Sequence, residues 1–292
     1  MYFLYRIDDP ETAGEGSPYV FVGYNTSFRC WFQDGLQPQK PTLSNGEGDP
    51  SIDLSQIPNL KHACRHRIAQ FLILPPFAGK GHGEMFYTAI FHDLTSDPTC
   101  RFLTVEDPNE QFDDLRDLCD LTRLRADPES FKDLALDTTL TIPKRGPLAH
   151  DLIPYDAISA RAAQLKLARV QLVRLLELQL LDEVPEEEKV RTEAQKKVYR
   201  AWRVWVKMRV YRKNKELLAE FDIEERRERL DRTLEGLEEN YRRVLAKLAA
   251  RKGERGVKRK GSGEEGEDEG GGLREEGRRG KGKKLRLDDD SD

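Results

Sequence analysis

Apolar residues along this chain change their spacing twice, and each change marks a new kind of structure. Tyr19–Phe32, YVFVGYNTSFRCWF, is rich in aromatic and β-branched residues and predicts one or two strands. Gln33–Leu60 is crowded with Pro, Gly, Ser and Asn and predicts a loop. Arg67–Leu74 then carries a continuous apolar run, which predicts a strand buried on both faces. Pro75 and Pro76 end it, because neither can donate to a sheet ladder. From Gly83 the period lengthens: Met85, Phe86, Ala89, Ile90 and Leu94 share one helical face. Phe102–Val105 predicts the next strand, and Asp113–Asp120 lies in the helix after it.

Beyond Ile153 the pattern becomes one of long helices. Leu165, Ala168, Leu172, Leu175 and Leu176 form one apolar stripe, and Val198, Trp202, Trp205 and Met208 another. In the last helix Ile223, Leu230, Leu237 and Val244 recur every seven residues, interleaved with Leu234, Tyr241 and Leu248. Such an a/d repeat packs along a partner helix, here expected within the same chain. The Lys/Arg-rich face of Gln195–Lys215 is expected to be solvated. Arg251–Asp292 is built almost wholly from glycine and charged residues, so it cannot bury a core and is expected to be disordered. Its basic clusters Lys258–Lys260 and Arg278–Lys284 fit nuclear import signals or an ordinary solvated tail. The expected division is an α+β core over 1–140, a helical subdomain over 141–250 and a charged tail over 251–292.

Composition narrows the function classes. Of the 292 residues 37% are hydrophobic and 35% charged, so a core is feasible under a heavily charged surface. A net charge of −4 argues against a uniformly basic nucleic-acid binder. Cys30, Cys64, Cys100 and Cys119 are scattered without a CxxC pair, which fits a reducing compartment better than a disulfide scaffold. His62, Cys64 and His66 do not have a usual zinc spacing, and no metal is expected. No apolar run approaches the ~20 residues of a membrane span. Met1–Arg6 runs straight into Asp8, Asp9 and Glu11, unlike a signal peptide. A soluble intracellular protein is the expectation.

The chemistry concentrates in Gln70–Leu94, QFLILPPFAGKGHGEMFYTAIFHDL, and Leu103–Glu110, LTVEDPNE. Gly79, Gly81 and Gly83 alternate just before a helix, where backbone N–H groups and the helix N-terminus favour a pyrophosphate. A Walker loop needs GxxxxGK[ST], and here His82 follows Gly81. A dinucleotide fingerprint needs GxGxxG in repeating βαβ units, and neither is present. His82 needs only its backbone in this turn. Glu106 and Asp107 end the following strand; alone they form an ordinary acidic turn, but near the glycine turn they supply a candidate base.

The whole run of apolar strand, PPF, GKGHG, amphipathic helix and TVEDPNE resembles the type B histone acetyltransferases of the GNAT superfamily. LRDLCDL (115–121), VYRAWRVWVKMRVYRKNKELLAE (198–220) and LEENYRRVLAKLA (237–249) resemble that family's C-terminal helices. The resemblance spans about Tyr19 to Leu248 and implies a GNAT-type mixed sheet with flanking helices, a C-terminal helical subdomain and a disordered tail. It implies that Ala78, Gly79, Lys80, Gly81, His82, Gly83 and Glu84 hold the acetyl-CoA pyrophosphate, Ala78 standing where the family has Gln or Arg. Phe71, Leu72 and Ile73 would pair with the pantetheine arm, and Asn109 would lie near the cofactor. Glu106 would be the general base, with Asp107 beside it, and Phe28 would meet the histone peptide. The implied activity is acetyl transfer to tail lysines of free, newly made histone. The implied partners are the histone tail and a WD-repeat histone chaperone, with no nucleic acid or membrane, in nucleus and cytoplasm. The family carries an N-terminal region that Met1–Pro18 does not supply, so a truncated chain is expected. The alternatives are a catalytically impaired helical interaction protein and a GNAT acting on a small amine.

Overall fold

The structure, a computed structural model, describes residues 1–8, 17–32, 63–140 and 151–261, with side chains to residue 251. The loop expected over Gln33–Leu60, His62, the basic cluster Arg278–Lys284 and most of the charged tail lie outside the described residues. The chain divides into two units.

In the first unit four strands, β1 (Tyr2–Ile7), β2 (Tyr19–Trp31), β3 (Cys64–Ile73) and β4 (Cys100–Val105), form one mixed sheet in that order. The first two pairings are antiparallel and β3 with β4 is parallel. Parallel neighbours need a crossover, and α1 (His82–Thr95) provides it. Phe86, Tyr87, Ile90, Phe91 and Leu94 form its buried face. Leu4, Val22, Cys64, Ile68, Cys100 and Leu103 are the buried apolar positions of the strands. Phe71 meets Phe86 with ring centroids 5.3 Å apart.

The expected α+β, GNAT-type sheet is therefore present, with two corrections in detail. β1 was not foreseen at all. β3 is not buried on both faces: Cys64, His66 and Ile68 are buried, while Arg65 and Arg67 between them are not. The alternation arises because a sheet covered on one face only buries every second residue.

The second unit is helical, built mainly from α2 (Glu110–Ala126), α4 (Arg169–Asp182), α5 (Glu193–Lys213), the short α6 (Lys215–Ala219) and α7 (Ile223–Gly261). The intervening α3 (Tyr155–Gln164) is shared between the two units. Thr192 opens α5 with a capping box: its hydroxyl accepts from the Gln195 N–H at 3.2 Å and the Gln195 side chain returns to the Thr192 N–H. α7 runs antiparallel to α5, since Tyr199 donates to Glu238 at 2.9 Å and Lys207 pairs with Asp231 farther along. The buried seam of α7 is Leu234, Tyr241, Val244 and Leu248, whereas Ile223 is exposed. The heptad is thus used within the chain, and only from Leu234 onward. α7 continues past Arg251 to Gly261. Among the described residues no helix is long and apolar enough to cross a membrane.

A charge lies at the centre of this unit. Glu177 of α4 is fully buried. Arg209 donates to its two oxygens at 2.6 and 2.8 Å, and Tyr241 donates to Oε2 at 2.6 Å. Trp202 donates to the Glu177 carbonyl at 3.0 Å. Burial pushes the Glu177 carboxyl above its ordinary range against the pull of Arg209. Removing one partner of a buried pair leaves the other charge uncompensated, so Arg209→Ala should destabilise the protein by about 3–5 kcal/mol. Urea denaturation checks this, and a loss below about 1 kcal/mol would show that the pair does not hold the helices.

Candidate active site

The site begins with one extra residue in β3. Thr26 stands opposite Gln70 but Ser27 stands opposite Ile68, so Ala69 is a bulge. Before it, β3 bonds to β4: the Glu106 N–H donates to the Ile68 carbonyl at 2.8 Å, the last such rung. After it, β3 pairs with β2 alone among the described residues. The Leu74 N–H donates to the Val22 carbonyl at 2.9 Å. Antiparallel alternation then aims the Leu72 backbone at β2 and turns those of Phe71 and Ile73 the other way, toward the side β4 has left. Gly23 confirms the direction, because a Cβ there would lie 2.2 Å from the Leu72 carbonyl oxygen. Only glycine lets β2 approach so closely. The three strand positions proposed for the pantetheine arm therefore divide. Phe71 and Ile73 offer backbone groups, and Leu72 offers a side chain that is 41% exposed.

Beyond β3 the chain makes a turn of 3-10 helix over Pro75–Phe77 and enters the glycine segment. Gly79 and Gly81 have φ of 77° and 86°, left-handed values that disfavour any side chain. Gly81 is the N-cap of α1 and supplies no side-chain cap. The first helical bond joins the Met85 N–H to the Gly81 carbonyl, so the preceding amides of the turn have no acceptor inside the helix. Such donors, with the helix dipole behind them, are suited to an anion. Ala78 and Lys80 are exposed beside it, and Glu84 puts a negative charge in the first turn. His82 stacks edge-on against Phe77 at 6.0 Å, a packing role that leaves the turn's backbone free to act.

Glu106 follows β4 on the sheet face opposite Ile68 and is 40% exposed at its side chain. Asp107 next to it has φ 36°, a strained value for a residue with a side chain. Asp107 and Asn109 are exposed. Arg67, a residue sequence reasoning passed over, places Nη2 3.1 Å from Glu106 Oε1. Its guanidinium lies 6.0 Å from the centre of the Phe28 ring, its cross-strand partner. Its Nε is buried without an acceptor, which costs about 1–3 kcal/mol. The available signal was the strand's period of two, which puts Arg67 across from Phe28 once β2 and β3 are paired.

On the opposite face Cys64, His66 and Asp97 gather their ligand atoms within 4.8 Å. Asp97 is already engaged: Oδ1 accepts from the Thr99 N–H at 2.8 Å and hydroxyl at 2.7 Å. Oδ2 meets Arg29 and, at 3.3 Å, His66 Nε2. The arrangement ties β2 and β3 to the turn after α1. Cys64 and Cys100 stand opposite each other in the parallel ladder as free thiols, both buried.

A mixed sheet whose parallel pair splays at a bulge, with a glycine turn and helix N-terminus beyond, is the GNAT-type arrangement expected from the sequence. The chain is 40% identical over 245 residues to the histone acetyltransferase type B catalytic subunit of Gibberella zeae, covering 80% of this chain and 50% of that protein. It is 36% identical to the one of Pyricularia oryzae, over 86% of this chain and 55% of the relative. It is 33% identical to the one of Neurospora crassa, over 85% and 54%. The chain is thus a relative of the type B histone acetyltransferase catalytic subunits, and it spans about half the length of those it matches. No family model matches it.

The Asp97 tie has a pH signature. Burial raises its carboxyl, but hydrogen bonds from Thr99 and His66 and the charge of Arg29 outweigh that and hold it at about 2, against an ordinary 3.8. A group more acidic in the folded state adds stability above its unfolded value and loses it as pH falls toward the folded one. The melting temperature should therefore fall from pH 3.8 down to about 2. Asp97→Asn should be less stable at neutral pH and flatter across that window; an unchanged slope would remove Asp97 from the account.

Proposed function

We propose that this chain is an acetyl-CoA-dependent histone lysine acetyltransferase of the type B kind, acting on free histone. The observation that carries the reading is the splay of β3 from β4 at Ala69, which sets an open strand edge beside a helix-terminal glycine turn with Glu106 on the same stretch of sheet. Amides of the 79–84 turn would hold the pyrophosphate, and the Ile73 backbone would pair with the pantetheine arm.

A lysine amine has a pKa of ~10.4 and is almost wholly protonated at neutral pH. Glu106, directly or through one water, would accept that proton as general base. The neutral amine then attacks the thioester carbonyl, the carbon–sulfur bond breaks, and the proton that the nitrogen sheds as the amide forms passes through solvent to the leaving thiolate. A backbone N–H of the splayed stretch Phe71–Leu74 would donate to the developing oxyanion, though not that of Leu74, which is spent on Val22. Asp107 would border the acceptor side, and Asn109 the cofactor. Phe28, 43% exposed, would contact the peptide. A WD-repeat histone chaperone as partner is proposed on resemblance alone. Residence in both nucleus and cytoplasm is proposed on the type B kinship and the basic clusters at 258–260 and 278–284.

Calorimetry with acetyl-CoA tests the cofactor half. The parent chain should bind, and Gly81→Glu, which sets a bulky anion at a left-handed position in the amide nest, should weaken binding at least about tenfold. Failure of the parent to bind would shift the reading to a helical interaction protein. Glu106→Gln should keep acetyl-CoA affinity and lose about 10²–10⁴-fold in transfer to a histone-tail peptide. Full activity in that variant would remove Glu106 as the base, and transfer to small amines in preference to peptide would redirect the substrate class.

A further inference from the structure

We propose that Arg67 is the positioning residue for the Glu106 carboxylate, an inference that rests on the reading of Glu106 as the base. Three observations carry it. Arg67 Nη2 lies 3.1 Å from Glu106 Oε1. The guanidinium has its own support, because Phe28 stands directly across the ladder and offers its ring face at 6.0 Å. The Arg67 Nε is buried against the sheet without an acceptor, so the inward placement of this side chain carries a cost that the Glu106 and Phe28 contacts offset.

The need for such a residue follows from where Glu106 sits. It lies one position past β4, where its own N–H makes the last rung joining β3 to β4, and its side chain is 40% exposed. A glutamate in that setting samples several rotamers, whereas a base must keep its oxygen within about 2.6–3.2 Å of the proton it takes. Asp107 and Pro108 fix the backbone of the turn but not the Glu106 side chain. Arg67 reaches the carboxylate from a neighbouring strand whose own position is fixed by pairing on both sides there. Guanidinium suits the task, since it stays charged and cannot itself compete for the proton. Lysine would retain the charge but lose the planar fork and the ring contact.

The test is a double-mutant cycle in acetyl transfer to a histone-tail peptide, using the full chain. Arg67→Gln should lower kcat about tenfold while peptide KM, acetyl-CoA Kd and melting temperature stay close to the parent's. Arg67→Lys should recover part of that loss. Placed on Glu106→Gln, Arg67→Gln should cause no further loss, because a residue acting through Glu106 has nothing left to position. A kcat for Arg67→Gln within twofold of the parent would overturn the proposal. So would an equal loss on the Glu106→Gln background, or a joint fall in acetyl-CoA binding and melting temperature that Arg67→Lys shares. An impaired Glu106→Gln with a normal Arg67→Gln sinks this proposal and leaves the general-base reading standing. An active Glu106→Gln, or a parent chain without transfer, overturns both.

Discussion

The extra residue at Ala69 governs the geometry of the first unit. In a regular parallel pair the backbone groups of β3 that face β4 would alternate without interruption to the strand's end. Ala69 shifts that alternation by one, so Cys64, His66 and Ile68 serve β4 while Leu72 and Leu74 turn toward β2. Two consequences follow together. β4 has no rung beyond Ile68 and parts from β3, and Phe71 and Ile73 aim their backbone groups at the gap. Gly23 makes the shift possible from the other side, because any side chain there would collide with the Leu72 carbonyl. The open edge of β3 is the consequence of one insertion and one missing Cβ, and the glycine turn and the carboxylate at the end of β4 lie to either side of it.

The two units use buried charge differently. In the helical unit Glu177 is enclosed with Arg209, Tyr241 and Trp202, and Asp114 of α2 takes Arg243 at 2.5 Å and Lys247 at 2.7 Å from α7. Such pairs are costly to desolvate, and an apolar replacement often does as well for stability. What they add is register. A carboxylate with one fork-shaped partner tolerates no sliding of α5 against α4, which an apolar seam of leucines would permit. In the sheet the corresponding ties are Asp97 on one face and Arg67 with Glu106 on the other, and only the second lies on the face with the open edge.

Much of this was legible in the chain. The strand, glycine turn, helix, strand order from Cys64 to Val105 follows from spacing, and β4 and α1 differ from expectation only at their ends. The acidic residues after β4 and the positive-φ glycines were also visible. What could not be read was pairing. β1 escaped notice because Tyr2–Ile7 is short and carries a buried position only at Leu4. The bulge was hidden because Ala69 is unremarkable in sequence and becomes special only when Thr26 and Ser27 are placed opposite it. Arg67 escaped for the same reason, since its partners Phe28 and Glu106 are 39 residues away on either side. The run Phe71–Leu74 suggested burial on both faces because apolar residues facing a strand gap look the same in sequence as apolar residues in a core.

The placement of these groups bears on what a chain spanning half the length of its relatives can hold. Every group proposed for the cofactor lies between Phe71 and Asn109, in one continuous described stretch. The acceptor side is built differently: Phe28 and Arg67 come from two strands, and Glu106 and Asp107 from the end of a third. The glycine nest therefore depends on local chain geometry, while the β3 edge and the proposed acceptor side depend on how strands are held together. Substitutions that disturb pairing, such as a side chain at Gly23, should affect the second more than they affect the amide nest at Gly79–Gly83. That asymmetry follows from the topology alone, because the nest is fixed by two left-handed glycines and a helix terminus, which need no cross-strand partner.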